Sequence, residues 1–507
     1  MKSGQLRGQV GQSIAVNSAL GWIVCGKSET SIHQQEIRRL YATIEQQLDK
    51  DLRKFWEVES LGLEKRDTCE SIGTDNANQQ CGVAFDGECY TVSLPWKTED
   101  LVLPDNYHMA LQRLKQTEAR LSRNASLNAA YCEEMHKYIR NGWVEKTNKN
   151  GLEGRMWYLP HHMVVHHDKT STRYRIVFDA LISGPCLQND LLGIILRFRR
   201  FPITLQADIS KMFMQVCLRE EDRDVSRFLW RSSQTEDRPQ VFRFTRICFG
   251  LNCSPFLAMN VLRCHIQQQS PEYHEEVRDI LKNMYVDDLV TSCYIIEDAH
   301  RIVKNTSHLL QTAGFRLTKW SSNFQQSLEG LAREDVQCEE DVSKVLGMLW
   351  DRTSDSFTFK VPTGITLSSP GTKRELVSMA AKLYDPLGLL TPFTIRAKIL
   401  FQRTWQSGTA WDETMPEHIA REWWSWRSEL SALPSVMLAR RLIPMRKEDV
   451  ATKDLHVFKD AYGAVVYLRT TTKMGKNSMV IVASKSRVAP VKKKLHRLDF
   501  INNHIAE

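Results

Sequence analysis

The chain has 507 residues, 42% of them hydrophobic and 25% charged, with 24 Gly and 16 Pro. Such ordinary globular composition excludes a mainly disordered, collagen-like or low-complexity chain, and the length suits about three to five domains. Lys plus Arg number 68 against 60 for Asp plus Glu, a net charge of +8 that permits a polyanionic partner without demanding one. The 12 cysteines are scattered singly, too sparse for a secreted disulfide scaffold and suited to a reducing compartment. No apolar run approaches a membrane span, and the N-terminus lacks a cationic segment followed by an apolar core. A soluble intracellular protein, cytoplasmic or nuclear and without a membrane partner, is expected.

In chain order, residues 16–26 are apolar and Gly-punctuated, like the last strand and turn of a domain, as if the chain began inside something. Ile37, Leu40, Ile44 and Leu48 predict a helix within 32–59. Residues 64–90 are polar and turn-rich; 90–96 reads as a strand stopped at Pro95. One long helix is predicted over 107–140, ended by Asn141–Gly142. From Trp143 to Asp288 strands are expected at 157–159, 163–165, 173–178, 204–208 and 286–291, with a helix at 191–198. Residues 371–403 are basic and amphipathic, a Trp-rich helix is expected at 416–430, and 456–468 and 479–483 read as strands of a further α/β unit. The class is α+β.

The strongest local feature is Met284-Tyr285-Val286-Asp287-Asp288-Leu289-Val290, two carboxylates between apolar β-formers. Neighbours on a regular strand face opposite ways, so both serve one site only if a turn breaks the alternation. A solvated hairpin tip is the plain alternative. Asp208 ends another apolar strand, where a helix cap is the alternative. Together these carboxylates could hold two divalent cations about 3.5–4 Å apart, one activating a hydroxyl and one stabilising a leaving oxygen. Magnesium suits such hard oxygen ligands. His161, His162, His166 and His167 do not make a zinc site on this reading, since 163–165 looks extended and no cysteine pair is suitably spaced.

These residues carry a resemblance. Ala207-Asp208-Ile209-Ser210-Lys211-Met212-Phe213-Met214-Gln215-Val216, Phe249-Gly250-Leu251-Asn252-Cys253-Ser254-Pro255-Phe256 and Tyr285-Val286-Asp287-Asp288 resemble a reverse transcriptase. The chain most resembles the polymerase of BEL/Pao-class long-terminal-repeat retrotransposon Pol polyproteins, also labelled Pao retrotransposon peptidases. Leu159-Pro160-His161-His162, Arg175-Ile176-Val177-Phe178-Asp179-Ala180, Leu317-Thr318-Lys319-Trp320, Lys344-Val345-Leu346-Gly347 and Tyr384-Asp385-Pro386-Leu387-Gly388-Leu389 are similar to further family tracts.

The resemblance implies a right-hand palm, fingers and thumb polymerase fold with a partial RNase H-like α/β start at the C-terminus. It implies an RNA-directed DNA polymerase that adds deoxynucleotides to a primer 3′-hydroxyl using two Mg²⁺ ions, with Mn²⁺ as the alternative. Asp208, Asp287 and Asp288 would be the catalytic and metal-binding carboxylates. Arg173, Arg175, Phe213, Phe249, Gly250 and Lys319 would surround the nucleotide, and Leu346 and Gly347 would grip the primer end. A ring at Phe213 leaves no room for a 2′-hydroxyl, and glycine at 250 permits close backbone approach. From the residues alone, Phe213 also reads as core, and Arg173 and Arg175 as a solvated strand face. The 371–403 segment reads either as an exposed charged helix or as a phosphate-contacting surface. The implied partners are an RNA or DNA template with primer, deoxynucleoside triphosphates, and other parts of the Pol or Gag polyprotein.

By the same likeness the expected segments are a protease remnant at 1–30, a helical linker at 31–140, fingers and palm at 141–330, a thumb or connection at 331–440, and a truncated RNase H-like domain at 453–507. Gly21-Trp22-Ile23-Val24-Cys25-Gly26-Lys27 looks like the last strand of the retrotransposon aspartic protease, but neither Asp-Thr-Gly nor Asp-Ser-Gly occurs, so proteolysis is not expected. Asp460 and Asp499 would be residual RNase H-like carboxylates; without further acidic positions no RNase H activity is expected. Only Leu181, Ile182 and Ser183 stand where the family usually has a longer fingers insertion. The alternatives to an active polymerase are an inactive nucleic-acid-binding relic and a fragment of a peptidase-containing polyprotein without protease activity.

Overall fold

The structure, a computed structural model, describes residues 5–7, 14–18, 21–25, 82–96, 102–147, 151, 154–165, 174–179, 188–231, 238–251, 253–269, 279–337, 341–362, 371–443, 449–457, 461–471 and 477–488. The helix predicted at 32–59, and Arg173, His166, His167, Asp460 and Asp499, lie outside them. The chain divides into two units, one of residues 1–59, 362–383 and 396–427, the other of 60–361, 384–395 and 428–507.

The smaller unit opens with β1 (Gln5–Arg7), β2 (Ile14–Ser18) and β3 (Gly21–Cys25), an antiparallel meander. In the larger unit β4 (Ala84–Phe85) and β5 (Tyr90–Val92) precede α1 (Tyr107–Leu121) and α2 (Ala125–Arg140). The single helix expected over 107–140 is two, because Asn124 caps the second: its side chain accepts the Leu127 N–H at 3.0 Å. An Asn whose side chain satisfies an orphan amide favours a helix start over a helix interior. Gly142, at φ +64°, then ends α2 as expected. Strands β6 (Val144–Lys146), β7 (His161–Val165) and β8 (Tyr174–Phe178) follow, but 157–159 is not a strand; only Tyr158 bridges to Arg227.

Helix α3 (Leu191–Arg200) starts where the Asp190 carboxylate accepts the Leu192 and Gly193 N–H groups. Next come β9 (Ile203–Ile209), β10 (Cys217–Leu218), β11 (Arg227–Trp230), β12 (Gln240–Phe244), α4 (Ser254–Gln269), β13 (Met284–Tyr285), β14 (Asp288–Cys293), α5 (Ile296–Thr312) and β15 (Leu317–Ser321). The central sheet has order β13-β14-β9-β15, all antiparallel. Side chains of β9 alternate across the sheet, and Leu205, Ala207 and Ile209 enter one core with Phe256 and Leu257 of α4 and Leu309 and Leu310 of α5. That leaves the opposite face of β9, with Gln206 and Asp208, outside this core.

A second sheet, β16 (Val342–Val345), β17 (Met348–Asp351) and β18 (Ser356–Thr358), continues to the late strand β19 (Leu438–Ala439). The basic stretch at 371–403 forms α6 (Lys373–Ala381) and α7 (Thr391–Gln406), and the Trp-rich helix is α8 (Glu417–Ser428). In the smaller unit Lys373 lies buried beneath Trp405, its ammonium 3.9 Å from the ring centroid, so part of this charge packs inward.

The strand expected at 456–468 is the end of one strand and most of another. β20 (Asp449–Val457), β21 (Ala461–Thr471) and β22 (Asn477–Val488) form an antiparallel sheet. Two arginines far apart in sequence tie the larger unit together. Buried Arg440 pairs with Asp355 at 2.6 Å and donates to the Phe198 carbonyl, while buried Arg199 donates to the carbonyls of Arg440 and Ile481. Buried guanidinium groups are tolerated because carbonyls and a carboxylate accept hydrogen bonds from their N–H groups.

Candidate active site

The acidic hairpin closes in two residues. Tyr285 pairs with Asp288, so Val286 and Asp287 form the turn, and Val286 takes φ +56°. The strand expected at 286–291 therefore begins at Asp288, and Asp287 escapes the alternation that would have pointed the two carboxylates apart. In β9, Asp208 stands directly opposite Asp288 of β14, and the Ile209 N–H donates to the Asp287 carbonyl at 2.8 Å. Asp208 of β9 and the Asp287–Asp288 pair of the hairpin thus stand at the same end of the sheet.

Electrostatics agree with that proximity. Burial pushes the Asp287 carboxyl above its usual range, and the charge of Asp208 pushes it further; Lys319 and Arg175 pull the other way. Lys319 lies in the bulge of β15, at φ +55°, and its ammonium forms an ion pair with Asp208. Carboxylates that repel one another and already draw a cation are hard oxygen donors of the kind Mg²⁺ takes, although among the described residues no three His, Cys, Asp or Glu side chains are gathered into a group that would hold a metal ion.

Beside them runs an aromatic ledge. Arg175 of β8 lies over the Phe249 ring at 5.4 Å, and Phe249 packs against Phe213 with ring centroids 4.8 Å apart. Phe213 is half-buried between fully buried Met212 and Met214, so it edges the core rather than filling it. Gly250 is required by the protein backbone itself. At φ +111°, a Cβ there would overlap the Phe178 carbonyl oxygen, so this glycine lets two protein backbones close on each other.

Leu346 and Gly347 form the β16–β17 turn, with φ +48° and +88°. Leu346 is buried in a cluster with Val290 and Trp350, against which Tyr285 and Tyr384 pack. A Cβ on Gly347 would lie 2.7 Å from the Tyr384 ring. Sequence reasoning missed Gln206, whose amide donates to the Lys344 carbonyl at 3.0 Å and accepts from the Ser321 hydroxyl at 3.4 Å. Its position two residues before Asp208, on the same strand face, was the available signal. His161 is a buried packing residue that hydrogen-bonds the Tyr131 hydroxyl at 2.6 Å; burial pushes its pKa down to about 4.

Residues 197–331, which hold β9, the acidic hairpin and Lys319, match the family model for reverse transcriptase (RNA-dependent DNA polymerase). This segment is a reverse transcriptase domain. Residues 372–506 match a second model, the Pao retrotransposon-like RNaseH-like domain, which begins inside the stretch expected to be thumb or connection. No curated protein matches the chain. Among solved structures it is similar to the foamy viral protease-reverse transcriptase dRH in complex with double-stranded DNA, at 17% identity and a TM-score of 0.46, covering 71% of this chain and 56% of that one. It is also similar to the foamy viral protease-reverse transcriptase with an RNA/DNA hybrid, at 16% identity and 0.46, covering 76% and 46%. For the same protein with double-stranded DNA the values are 17% and 0.47, covering 75% and 70%. The chain thus spans about half the length of the first two. Among the described residues no helix is long and apolar enough to cross a membrane.

Proposed function

We propose that the chain performs RNA-directed DNA synthesis, adding deoxynucleotides to a primer 3′-hydroxyl on an RNA or DNA template. The observation that carries this is the pairing of Asp208 with Asp288 and its electrostatic coupling to Asp287 at one sheet end, inside the segment that matches the reverse transcriptase model. Two Mg²⁺ ions held by these carboxylates would lower the pKa of the primer hydroxyl and offset charge on the leaving pyrophosphate.

The remaining roles belong to the chain's own side chains. Arg175, stacked on Phe249, offers a guanidinium to the triphosphate. Lys319, half-exposed, exchanges Asp208 for an incoming phosphate. The Phe213 ring closes the space a ribose 2′-hydroxyl would need, and the Leu346–Gly347 turn supports the primer end. The implied protein partners are other parts of a Pol or Gag polyprotein.

Primer extension on poly(rA)/oligo(dT) with Mg²⁺ tests the reading, with Asp287→Ala as the comparison in an equally folded preparation. Losing a metal carboxylate removes several kcal/mol of charge stabilisation, so extension falls about a thousandfold. Folded wild-type protein that extends nothing, or a variant that extends normally, rejects the proposal.

A further inference from the structure

Cys89 and Cys217 lie 128 residues apart in sequence and are joined as a disulfide. Cys89 directly precedes β5, and Cys217 opens β10, the strand that follows the Phe213 segment. These two strands pair in parallel over only Cys217–Thr91 and Leu218–Val92. The N-terminal strap is also fastened to the core by buried Tyr90, Val92 and Leu94, by the Tyr90 hydroxyl against His265 at 2.9 Å, by Arg219, which donates to the Gly82 carbonyl at 2.9 Å, and by the Asp222 carboxylate, which accepts the Leu94 N–H at 2.8 Å and the Trp96 indole N–H at 2.7 Å.

Two further observations bear on reactivity. The Arg246 guanidinium lies 2.7 Å from both sulfurs. Cys89, Cys217 and Cys132 are partly exposed, whereas Cys248, Cys253, Cys264 and Cys293 are buried, and burial pushes the Cys132 and Cys248 thiols above their ordinary range. A thiol reacts as its thiolate, which needs access and a neighbouring cation, and this pair has both.

We propose that Cys89 and Cys217 are a reversible thiol–disulfide exchange site, with Arg246 as the cation that stabilises the attacking thiolate. Its co-reactant is a small thiol and disulfide couple such as reduced and oxidised glutathione. One protein thiolate attacks a sulfur of glutathione disulfide and expels glutathione thiolate. The second protein thiolate attacks the protein-side sulfur of that mixed disulfide and expels the second glutathione thiolate. Two protein thiols are oxidised, one glutathione disulfide is reduced, and the two protons pass to the departing thiolates. Closing the bond fastens the strap to the strand that follows Phe213, and this holds whether or not the chain polymerises DNA.

The full chain is equilibrated in graded mixtures of reduced and oxidised glutathione, trapped with a maleimide, digested and weighed. A Cys89–Cys217 cross-linked peptide is expected under oxidising mixtures and two alkylated cysteines under reducing ones. In Cys89→Ser, Cys217 carries glutathione instead. Lowering a thiol pKa by one unit gives about tenfold more thiolate but about threefold less nucleophilicity. Adding Arg246→Gln to Cys89→Ser is therefore expected to slow capture of Cys217 about threefold at pH 7, while Arg246→Lys keeps the rate. Protection of Cys248 and Cys253 from the maleimide reports that each variant is folded. Both thiols alkylated in every mixture, or a cross-link surviving excess reduced glutathione, overturns the exchange site. An unchanged rate in folded Arg246→Gln overturns the role of the cation.

Discussion

Two hairpins of the larger unit each turn on two residues, and neither is built wholly from residues such turns favour. The acidic one places Val286 at φ +56°, and the other places Leu346 and Gly347 at +48° and +88°. Tight hairpins prefer Gly, Asn or Asp at such positions, and left-handed backbone costs an ordinary L-residue roughly 1–2 kcal/mol. The Leu346 turn sits in an apolar cluster against which Tyr384 and Tyr285, the neighbour of Val286, also pack, whereas Val286 itself packs against the central core. The two turns also differ in what they hold: one a carboxylate forced close to another, the other a bare glycine under an aromatic ring. Tertiary packing can therefore hold backbone shapes that the turn residues themselves disfavour, and strain of this kind suits a site whose geometry must not relax.

The sharpest way to break that comparison is at Gly347. Alanine there must take φ +88° and meet the Tyr384 ring at 2.7 Å, so Gly347→Ala is expected to cost about 3 kcal/mol in chemical unfolding. If the ring is part of the cause, adding Tyr384→Ala recovers about 1 kcal/mol relative to the sum of the two single changes. Strict additivity would mean that the turn is governed by its own backbone, and the account in which Tyr384 packing holds it would fail.

The carboxylate half is sharpened by pH. Burial and Asp208 raise the Asp287 pKa, so the folded state holds this group ionised at a cost that unfolding relieves. That cost is full above the raised pKa and vanishes as the pH falls below the unfolded value of about 3.9. Asp287→Asn in EDTA is expected to raise the melting midpoint at pH 7, by about 1 °C for each kcal/mol recovered at this chain length, and to match wild type near pH 3. A lower midpoint at pH 7 would mean that Lys319 and Arg175 more than offset the repulsion. Divalent metal should then stabilise wild type and not the variant, since only wild type presents the full carboxylate set.

Much of this was legible beforehand. The apolar runs around Asp208 and Asp287 located two strands, and the ordered tracts around them pointed to a reverse transcriptase, which the match over residues 197–331 supports. What the sequence hid was set by contacts between distant segments. Nothing near Gly250 shows that the Phe178 carbonyl requires it, and nothing near Cys89 names Cys217. The break at Asn124 was readable as a cap, but the apolar spacing on either side outweighed it. The turn at Val286 was hidden for the reason the two hairpins share: a β-branched residue at positive φ contradicts local propensity, and only packing elsewhere permits it.

Gln206 is the smallest test and the one that joins the two hairpins. It stands two residues before Asp208, and its amide holds the Lys344 carbonyl of β16, two residues before Leu346. Gln206→Leu removes the bond to Lys344, worth about 1 kcal/mol at a part-exposed position, together with the longer bond from Ser321. If the bond sets the position of the β16–β17 turn relative to the carboxylate strand, the KM for primer-template rises about fivefold while kcat stays near wild type. Gln206→Glu keeps the length but loses the donor, so it should follow leucine; histidine, which restores a donor, should recover part of the loss. A fall in kcat at constant KM would place the effect on Asp208 through β9 itself. The two hairpins would then be parallel solutions to strain with no mechanical link between them.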